Sequence, residues 1–278
     1  MGKRLTEDQI ERFQRDGVVF PVRAYTTTAI AQRMEWLQAI EDRRAGRLPP
    51  ALNAKAHLLI PFLWEMVHDP VIVDAVEDLL GPDLLCWGTS FISKRGPDER
   101  HVTWHQDATH WHLTRPRAVT AWVAFTPSTR ANGCVRAIPG SNQVAVPHRD
   151  SHDRLNMLGM REEVTIPLDA DRAVDLVLEP GEMSLHDALI IHGSEPNRSN
   201  IRRTGFAIRY IPADVAQTAG LRNSATLVRG RDHGHFDLEV APEDLFHPDA
   251  MRRHAQVLRR GMEVIFGTAK AGRGDGLD

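Results

Sequence analysis

A histidine and an aspartate two positions apart, with a second histidine far along the chain, are the residues whose types and spacing best fit metal chemistry. His105 and Asp107 stand in the segment Trp104-His105-Gln106-Asp107, and His192 follows in a separate apolar run. On an extended strand, side chains two residues apart leave the same face, so His105 and Asp107 can meet one metal ion. His192 would complete a set of two imidazoles and one carboxylate.

Such a set is typical of mononuclear Fe(II) sites, because it leaves adjacent coordination positions open for a chelating cosubstrate and for dioxygen. It therefore favours an oxygenase. A histidine on a strand is more often a hydrogen-bonded structural residue, and a His-x-Asp pair alone is common by chance. The metal site is favoured because Trp104 precedes the pair, His192 lies on another predicted strand, and arginines follow it.

The arginines after His192 fit a specific need of such a site. A dicarboxylate that chelates iron through its 2-oxo acid end leaves a distal carboxylate, which a planar guanidinium binds with two hydrogen bonds. Arg202 or Arg203 could supply this cation. The alternative for either residue is an exposed charge at a turn, and the spacing alone does not separate the two.

His186 has the same strand parity as His192 but is not expected to be a metal ligand. If the strand continued between them, six residues at about 3.3 Å each would separate the two side chains by roughly 20 Å.

Composition restricts the class of protein. The 278 residues are 42% hydrophobic and carry a net charge of −3 without long runs of one sign. We therefore expect one domain, residues 1–278, with a small-molecule partner and no affinity for nucleic acid or a membrane surface. Cys86 and Cys134 are too few for a disulfide framework, no apolar run is long enough to span a bilayer, and a cytoplasmic location fits. The oligomeric state stays open.

The elements that must position the site fall into three parts. N-terminal helices are predicted within residues 5–81: one capped by Thr6 and ended by Gly17, one from about Thr28 to Ala45, and one between Asp69-Pro70 and Gly81. Short apolar runs at 119–125, 174–178, 183–191 and 205–211 predict antiparallel strands of a sandwich or barrel within about 84–240. A last helix is predicted over about 248–266.

Taken together, the motifs resemble the phytanoyl-CoA dioxygenase-like (PhyH) branch of the Fe(II)/2-oxoglutarate-dependent oxygenases, over roughly Leu5 to Val215. The resemblance implies a mainly β fold with flanking α-helices, built on a double-stranded β-helix (a jelly-roll, cupin-like core). Its carriers are Trp104-His105-Gln106-Asp107, Thr120-Ala121-Trp122, Asn132-Gly133-Cys134, Ile138-Pro139-Gly140-Ser141, Gly181-Glu182-Met183 and His192-Gly193-Ser194 with Asn197 to Arg203.

The resemblance also implies roles for individual residues. The iron ligands would be His105, Asp107 and His192. The cosubstrate 2-oxoglutarate would be held by Arg203 at its distal carboxylate, with Ser194, Trp122 and Thr120 beside it and Lys94 as a further polar candidate. We expect the substrate to contact Trp104, His110, Trp111, His112 and Arg136.

The expected activity is hydroxylation of an unactivated C–H bond of a small metabolite, with Fe(II), 2-oxoglutarate and O2, and release of succinate and CO2. Halogenating relatives replace the ligand aspartate by a small residue, whereas Asp107 is retained here. An anionic or zwitterionic substrate, such as a phosphonate, an amino-acid derivative or a secondary metabolite, fits the basic and aromatic candidates. A non-oxidative metalloenzyme and a metal-free binding protein on the same barrel are the alternatives.

Overall fold

Helices precede and follow a β-rich middle of the chain. The computed structural model describes residues 2–44, 46–218 and 222–271, with residue 110 and residues 264–271 described by backbone alone. Thr6 caps the first helix in a reciprocal capping box with Gln9, and Gly17 ends it in the left-handed conformation, as predicted. The described helices are α1 (Glu7–Asp16), α2 (Thr27–Asp42), α3 (Pro61–His68), α4 (Pro70–Leu80) and α5 (Pro248–Ala271).

Two details of the helices differ from the expectation. Helix α2 ends at Asp42, a turn before the predicted end, and helix α3 was not predicted. Pro61 occupies the first turn of α3, and the helix has only eight residues, which is about two turns and too short for its periodicity to mark it in the sequence. No helix in the described ranges has the length and apolar character needed to cross a bilayer.

Thirteen strands are described, and seven of them form the larger sheet, in the order β1-β9-β4-β11-β2-β12-β13. The smaller sheet has the order β3-β10-β5-β8, and β6 and β7 form a separate pair. The strands are β1 (Val18–Arg23), β2 (Leu84–Lys94), β3 (Val102–His105), β4 (Val119–Ala124), β5 (Val135–Ala137), β6 (His148–Asp150), β7 (Glu162–Val164), β8 (Val174–Leu176), β9 (Glu182–Asp187), β10 (His192–Ser194), β11 (Arg203–Pro212), β12 (Ser224–Arg229) and β13 (Asp237–Leu238).

The mainly β architecture with flanking helices, expected as a cupin-like double-stranded β-helix, is confirmed, with two sheets that do not close into a barrel. The run 183–191, predicted as one strand, is strand only in its first part: β9 ends at Asp187 in the larger sheet, residues 188–191 form the connection, and β10 then carries His192 in the smaller sheet.

Alternation along the central strands separates a packing face from a functional face. Ala121 and Val123 of β4 and Phe206 and Ile208 of β11 join the large core cluster that includes buried residues of α2, α3 and α4. Residues of the opposite parity therefore face the smaller sheet. On this inner face, β4 and β11 direct four side chains with polar groups into the space between the sheets: Thr120, Trp122, Arg203 and Arg209.

Candidate active site

His105, Asp107 and His192 come together at one end of the space between the sheets. His105 ends β3 and is the register partner of His192 at the start of β10, and their ring centroids lie 4.2 Å apart. Asp107 opens the short turn that follows β3. One ligand atom from each of the three residues lies within 4.8 Å of the other two, which is a spacing suited to a metal ion.

Backbone carbonyls fix the orientation of both imidazoles. Nδ1 of His105 lies 2.9 Å from the carbonyl oxygen of Thr103, and Nδ1 of His192 lies 3.0 Å from that of Ile190. Because a carbonyl oxygen only accepts, each Nδ1 carries the proton and each Nε2 presents a lone pair. This is the tautomer that a metal-ligating histidine requires, and the second bond holds the ring in place.

Asp107 is held as a carboxylate by its surroundings. The hydroxyl of Thr120 donates to Oδ2 at 2.9 Å, and Nε of Arg209 lies 3.7 Å from the same oxygen. Burial opposes ionisation, but the charge of Arg209 and the nearby His105 and His192 rings outweigh it, so the pKa of Asp107 lies well below its usual range. Burial also lowers the pKa of His192, with His105 acting in the same direction. The site therefore keeps an ionised carboxylate beside a neutral imidazole.

Gln106, between the two ligands, fastens a loop beside the metal site. Its amide donates to the carbonyls of Val144 at 2.9 Å and Leu189 at 2.5 Å, and its Oε1 accepts from the backbone of Val146 at 2.9 Å. The backbone N–H of Gln106 donates to Nε2 of His148 at 3.0 Å. Neither Gln106 nor His148 was predicted to matter here, and the motif gives no signal of these distant partners.

Arg203 lies in the interior without an anion. It is 1% exposed, and its Nε and Nη1 have no hydrogen-bond partner among the described residues. Burial lowers its pKa to about 10. Arg202 is different: its Nη1 and Nη2 bind the two oxygens of Glu41 at 2.6 and 2.7 Å. The structure thus separates two neighbours that the sequence left equivalent, because only Arg203 faces the cavity.

Trp122 lies against Arg203. The guanidinium carbon is 4.7 Å from the centroid of the indole ring, and the buried indole Nε1 has no hydrogen-bond partner in the described ranges. Gly205 allows this arrangement, since a Cβ atom there would overlap the ring. Unpartnered buried donors are rare because each costs about 1–3 kcal/mol. Those of Arg203 and Trp122 indicate that an acceptor-rich group, such as a carboxylate, binds beside them in the cavity.

Ser194 lies in the same cavity, and Lys94 supports it from behind. Lys94 is the register partner of Arg203, and its ammonium donates to Oγ of Ser194 at 2.6 Å and also to the carbonyl oxygen of Glu195. Since Oγ accepts from Lys94, the hydroxyl proton of Ser194 is left to donate to another group. Burial, with the charge of Arg203 acting in the same direction, lowers the pKa of Lys94 to about 7.

A cavity of about 40 Å³ joins the His-Asp-His group to Arg203, with Trp122 and Ser194 in its wall. The profile of the phytanoyl-CoA dioxygenase (PhyH) family matches residues 13–205. The chain belongs to this family. Its similarity to ThoJ, described as a non-heme monooxygenase in its apo form, has a TM-score of 0.83 at 36% identity and covers 95% of this chain and 100% of the other.

Of two further relatives, one is named with the metal and the cosubstrate and the other is named as a dioxygenase. CytC3 with Fe(II) and α-ketoglutarate, which is 2-oxoglutarate, has a TM-score of 0.66 at 27% identity and covers 89% of this chain and 97% of that one. The ectoine dioxygenase of Bordetella parapertussis is 26% identical over 231 residues, which cover 74% of this chain and 75% of the relative. This chain is therefore an Fe(II)- and 2-oxoglutarate-dependent oxygenase that also uses O2.

The site fits these groups. His105, Asp107 and His192 can hold the metal, and Arg203 with Trp122 offers the unpartnered donors that a distal carboxylate needs. Fe(II) with 2-oxoglutarate and O2 supplies an oxidant that can attack a C–H bond. The protein would fix the ligand atoms and bind the cosubstrate in a narrow cavity.

The separation of roughly 20 Å predicted between the side chains of His186 and His192 is wrong. The ring centroids of His186 and His192 lie 4.9 Å apart, because β9 ends at Asp187 and the chain turns before β10. The carbonyl of Asp187 accepts from the backbone of Ile190 at 3.1 Å, and its carboxylate accepts from Leu189 at 2.7 Å. His186 still lies outside the group of three ligands found among the described residues.

The residues predicted to contact substrate are not gathered at the cavity. Trp104 leaves β3 on the face opposite His105. The centroid of its ring lies 5.6 Å from the guanidinium carbon of Arg136. Trp111 stacks on Trp87 at 4.7 Å within a core cluster. His112 adopts a positive φ of 50° and is partly exposed, and the side chain of His110 lies outside the described part of the chain. None of the four described side chains lines the cavity.

Arg209 is a further polar side chain near the metal ligands that the sequence analysis missed. It lines the cavity, donates from Nη1 to Ser90 at 3.0 Å, and is 19% exposed. A signal was present, since Arg209 is six residues from Arg203 and therefore leaves the same strand on the same face.

Proposed function

We propose that the chain hydroxylates an unactivated C–H bond of a small metabolite, with conversion of 2-oxoglutarate to succinate and CO2. The observation that carries the proposal is the buried guanidinium of Arg203, whose Nε and Nη1 have no partner in the described part of the chain, in the cavity that His105, Asp107 and His192 also line. A cosubstrate held at both ends places its reactive end beside the metal. Hydroxylation is favoured over halogenation because Asp107 is present as a ligand.

The lining of the cavity supports a small substrate with an anionic group. Ile92, Val102, Val135 and Leu158 supply an apolar wall, and Arg209 supplies a cation at the metal end. An anionic or zwitterionic metabolite matches this combination, with Arg209 in place of the predicted basic contacts. A reducing, cytoplasmic location and the absence of a nucleic-acid partner remain part of the proposal, and both cysteines are free and buried.

The test begins with an anaerobic titration of the apo-protein with Fe(II) and 2-oxoglutarate, followed by the visible charge-transfer band between metal and cosubstrate. Small anionic and zwitterionic metabolites are then screened for succinate formation in air. Mass spectrometry with isotope-labelled dioxygen should show one oxygen atom incorporated into the product. A desaturated or cyclised product would overturn hydroxylation, and absence of the band in protein that holds Fe(II) would overturn the whole proposal.

A further inference from the structure

His186 lies beside the metal ligands without being one of them. Its ring is 4.9 Å from that of His192, it is 3% exposed, and it lines the cavity. Its register partner across the sheet is Thr120, whose hydroxyl holds the ligand carboxylate of Asp107. The imidazole is therefore fixed to the same pair of strands that orients a metal ligand, and it faces whatever occupies the metal end of the cavity.

The surroundings of His186 decide which ring nitrogen carries the proton. Nδ1 is enclosed and has no hydrogen-bond partner in the described part of the chain. A proton on Nδ1 would leave a buried N–H donor without an acceptor, which costs about 1–3 kcal/mol. The neutral ring avoids this cost by carrying its proton on Nε2. His186 then has an N–H donor for the cavity.

Several donors at this end of the cavity already have partners among the described residues. Thr120 donates to Asp107, and Nη1 of Arg209 donates to Ser90. The Nδ1 atoms of His105 and His192 face backbone carbonyls. The oxo-acid end of 2-oxoglutarate brings a keto oxygen and a carboxylate, which accept hydrogen bonds and donate none. His186 offers this end of the cosubstrate a donor beside the metal ligands, in addition to the remaining N–H groups of Arg209.

We propose that His186 is a positioning residue for the cosubstrate, and that its Nε2–H donates to an oxygen of the oxo-acid end of 2-oxoglutarate. Arg203 holds the distal carboxylate, so the two side chains fix opposite ends of one molecule. A hydrogen bond to a carboxylate is stronger than one between neutral groups, and it orients the chelating end before dioxygen binds. The inference rests on 2-oxoglutarate as cosubstrate and is independent of the substrate's identity.

The experiment compares His186→Phe, which keeps an aromatic ring without a donor, with His186→Gln, which keeps an N–H donor. Ser184→Ala is the matched control, since Ser184 lies on the same strand and face, is buried and has an unpartnered Oγ, yet does not line the cavity. Fe(II) affinity, 2-oxoglutarate affinity and the position of the charge-transfer band are measured without oxygen. None of these readouts requires turnover.

For His186→Phe, we expect unchanged Fe(II) affinity, about tenfold weaker binding of 2-oxoglutarate and a shifted charge-transfer band. We expect His186→Gln to recover most of the affinity and Ser184→Ala to resemble the wild type. If the Phe variant does not fold, His186→Leu serves as the donor-free protein.

Wild-type affinity and band position in the donor-free protein would overturn the inference. Equally weakened binding of 2-oxoglutarate in the Phe and Gln variants would also overturn it, because the loss would then come from altered packing and not from a missing hydrogen-bond donor. Loss of Fe(II) binding would mean that His186 supports the metal and not the cosubstrate. Failure of the cosubstrate assignment is distinguishable, since the band would then be missing from the wild type.

Discussion

Arg202 and Arg203 are neighbours in sequence, yet their side chains leave the chain on opposite faces of the larger sheet. Arg202 forms two hydrogen bonds to the carboxylate of Glu41, a residue of α2 that is 1% exposed. Arg203 faces the cavity, and its Nε and Nη1 have no partner among the described residues. Alternation along β11 makes one arginine structural and the other available to a ligand. The two positions therefore carry the same residue type but differ in what the side chain contacts.

Arg203→Lys should weaken binding of 2-oxoglutarate without unfolding the protein. A lysine keeps the charge but loses the paired donors of the guanidinium, and hydrogen bonds to charged groups contribute about 1.5–3 kcal/mol. We expect about ten- to hundredfold weaker binding. Anaerobic titration of the charge-transfer band measures it.

Arg202→Ala is the control for this comparison. It should lower the free energy of unfolding by up to about 3 kcal/mol, because buried Glu41 loses its main partner, while 2-oxoglutarate affinity stays near the wild-type value. Arg95, which lies 3.3 Å from Glu41, moderates the loss. A large loss of affinity in Arg202→Ala with none in Arg203→Lys would reverse the assignment.

Thr120→Val should weaken metal binding. The hydroxyl of Thr120 donates to Oδ2 of Asp107 and so leaves Oδ1, which lies 3.5 Å from Nε2 of His105, oriented toward the metal position. Loss of such a bond to a ligand lowers metal affinity by about ten- to hundredfold. Anaerobic competition with a chromogenic chelator measures the Fe(II) dissociation constant.

Thr120→Ser keeps the hydroxyl and should bind Fe(II) nearly as well as the wild type. If the Val and Ser variants bind Fe(II) equally, the hydrogen bond to Asp107 does not orient the ligand.

Gly205→Ala should displace the indole of Trp122 and weaken 2-oxoglutarate binding, because the added methyl group overlaps the ring. Gly88→Ala is the matched control: Gly88 lies on the adjacent strand β2 and has nothing within 4 Å of an added Cβ. Tryptophan fluorescence and the 2-oxoglutarate titration together measure the effect. Wild-type affinity in Gly205→Ala would show that the position of Trp122 is not needed.

Lys94 should make the stability of the apo-protein depend on pH. Burial and the charge of Arg203 lower its pKa from 10.5 to about 7, although Asp98 and Glu195 act in the opposite direction. Between these values the unfolded chain binds a proton that the folded protein does not, so the free energy of unfolding rises with pH, by up to about 1.4 kcal/mol per pH unit. Below the folded-state pKa of about 7, both states bind the proton and Lys94 no longer makes the free energy of unfolding depend on pH.

Urea unfolding of the wild type and Lys94→Met across this window measures the effect. The difference in unfolding free energy between the two proteins should change with pH in favour of the wild type as pH rises. A constant difference would show that Lys94 stays protonated in the folded protein.

The sequence by itself determined the features that depend on local spacing. The cap at Thr6 and the proline at the start of α4 have the same geometric meaning in any fold. The two-residue separation of His105 and Asp107 brings both side chains to one ion because the backbone stays extended through Gln106. The motifs also indicated the family and, through it, the fold. These features needed no knowledge of distant contacts.

Only the tertiary structure decided which distant residues meet. The turn after Asp187 brings His186 close to His192 although an extended strand would separate them, and the pairing of β10 with β3 places His192 opposite His105. Trp104 and Arg136 leave their strands away from the cavity, while Arg209 lines it. The physical reason is that a chain reversal and the pairing of distant strands set these distances, and neither is encoded by the spacing of the residues they bring together.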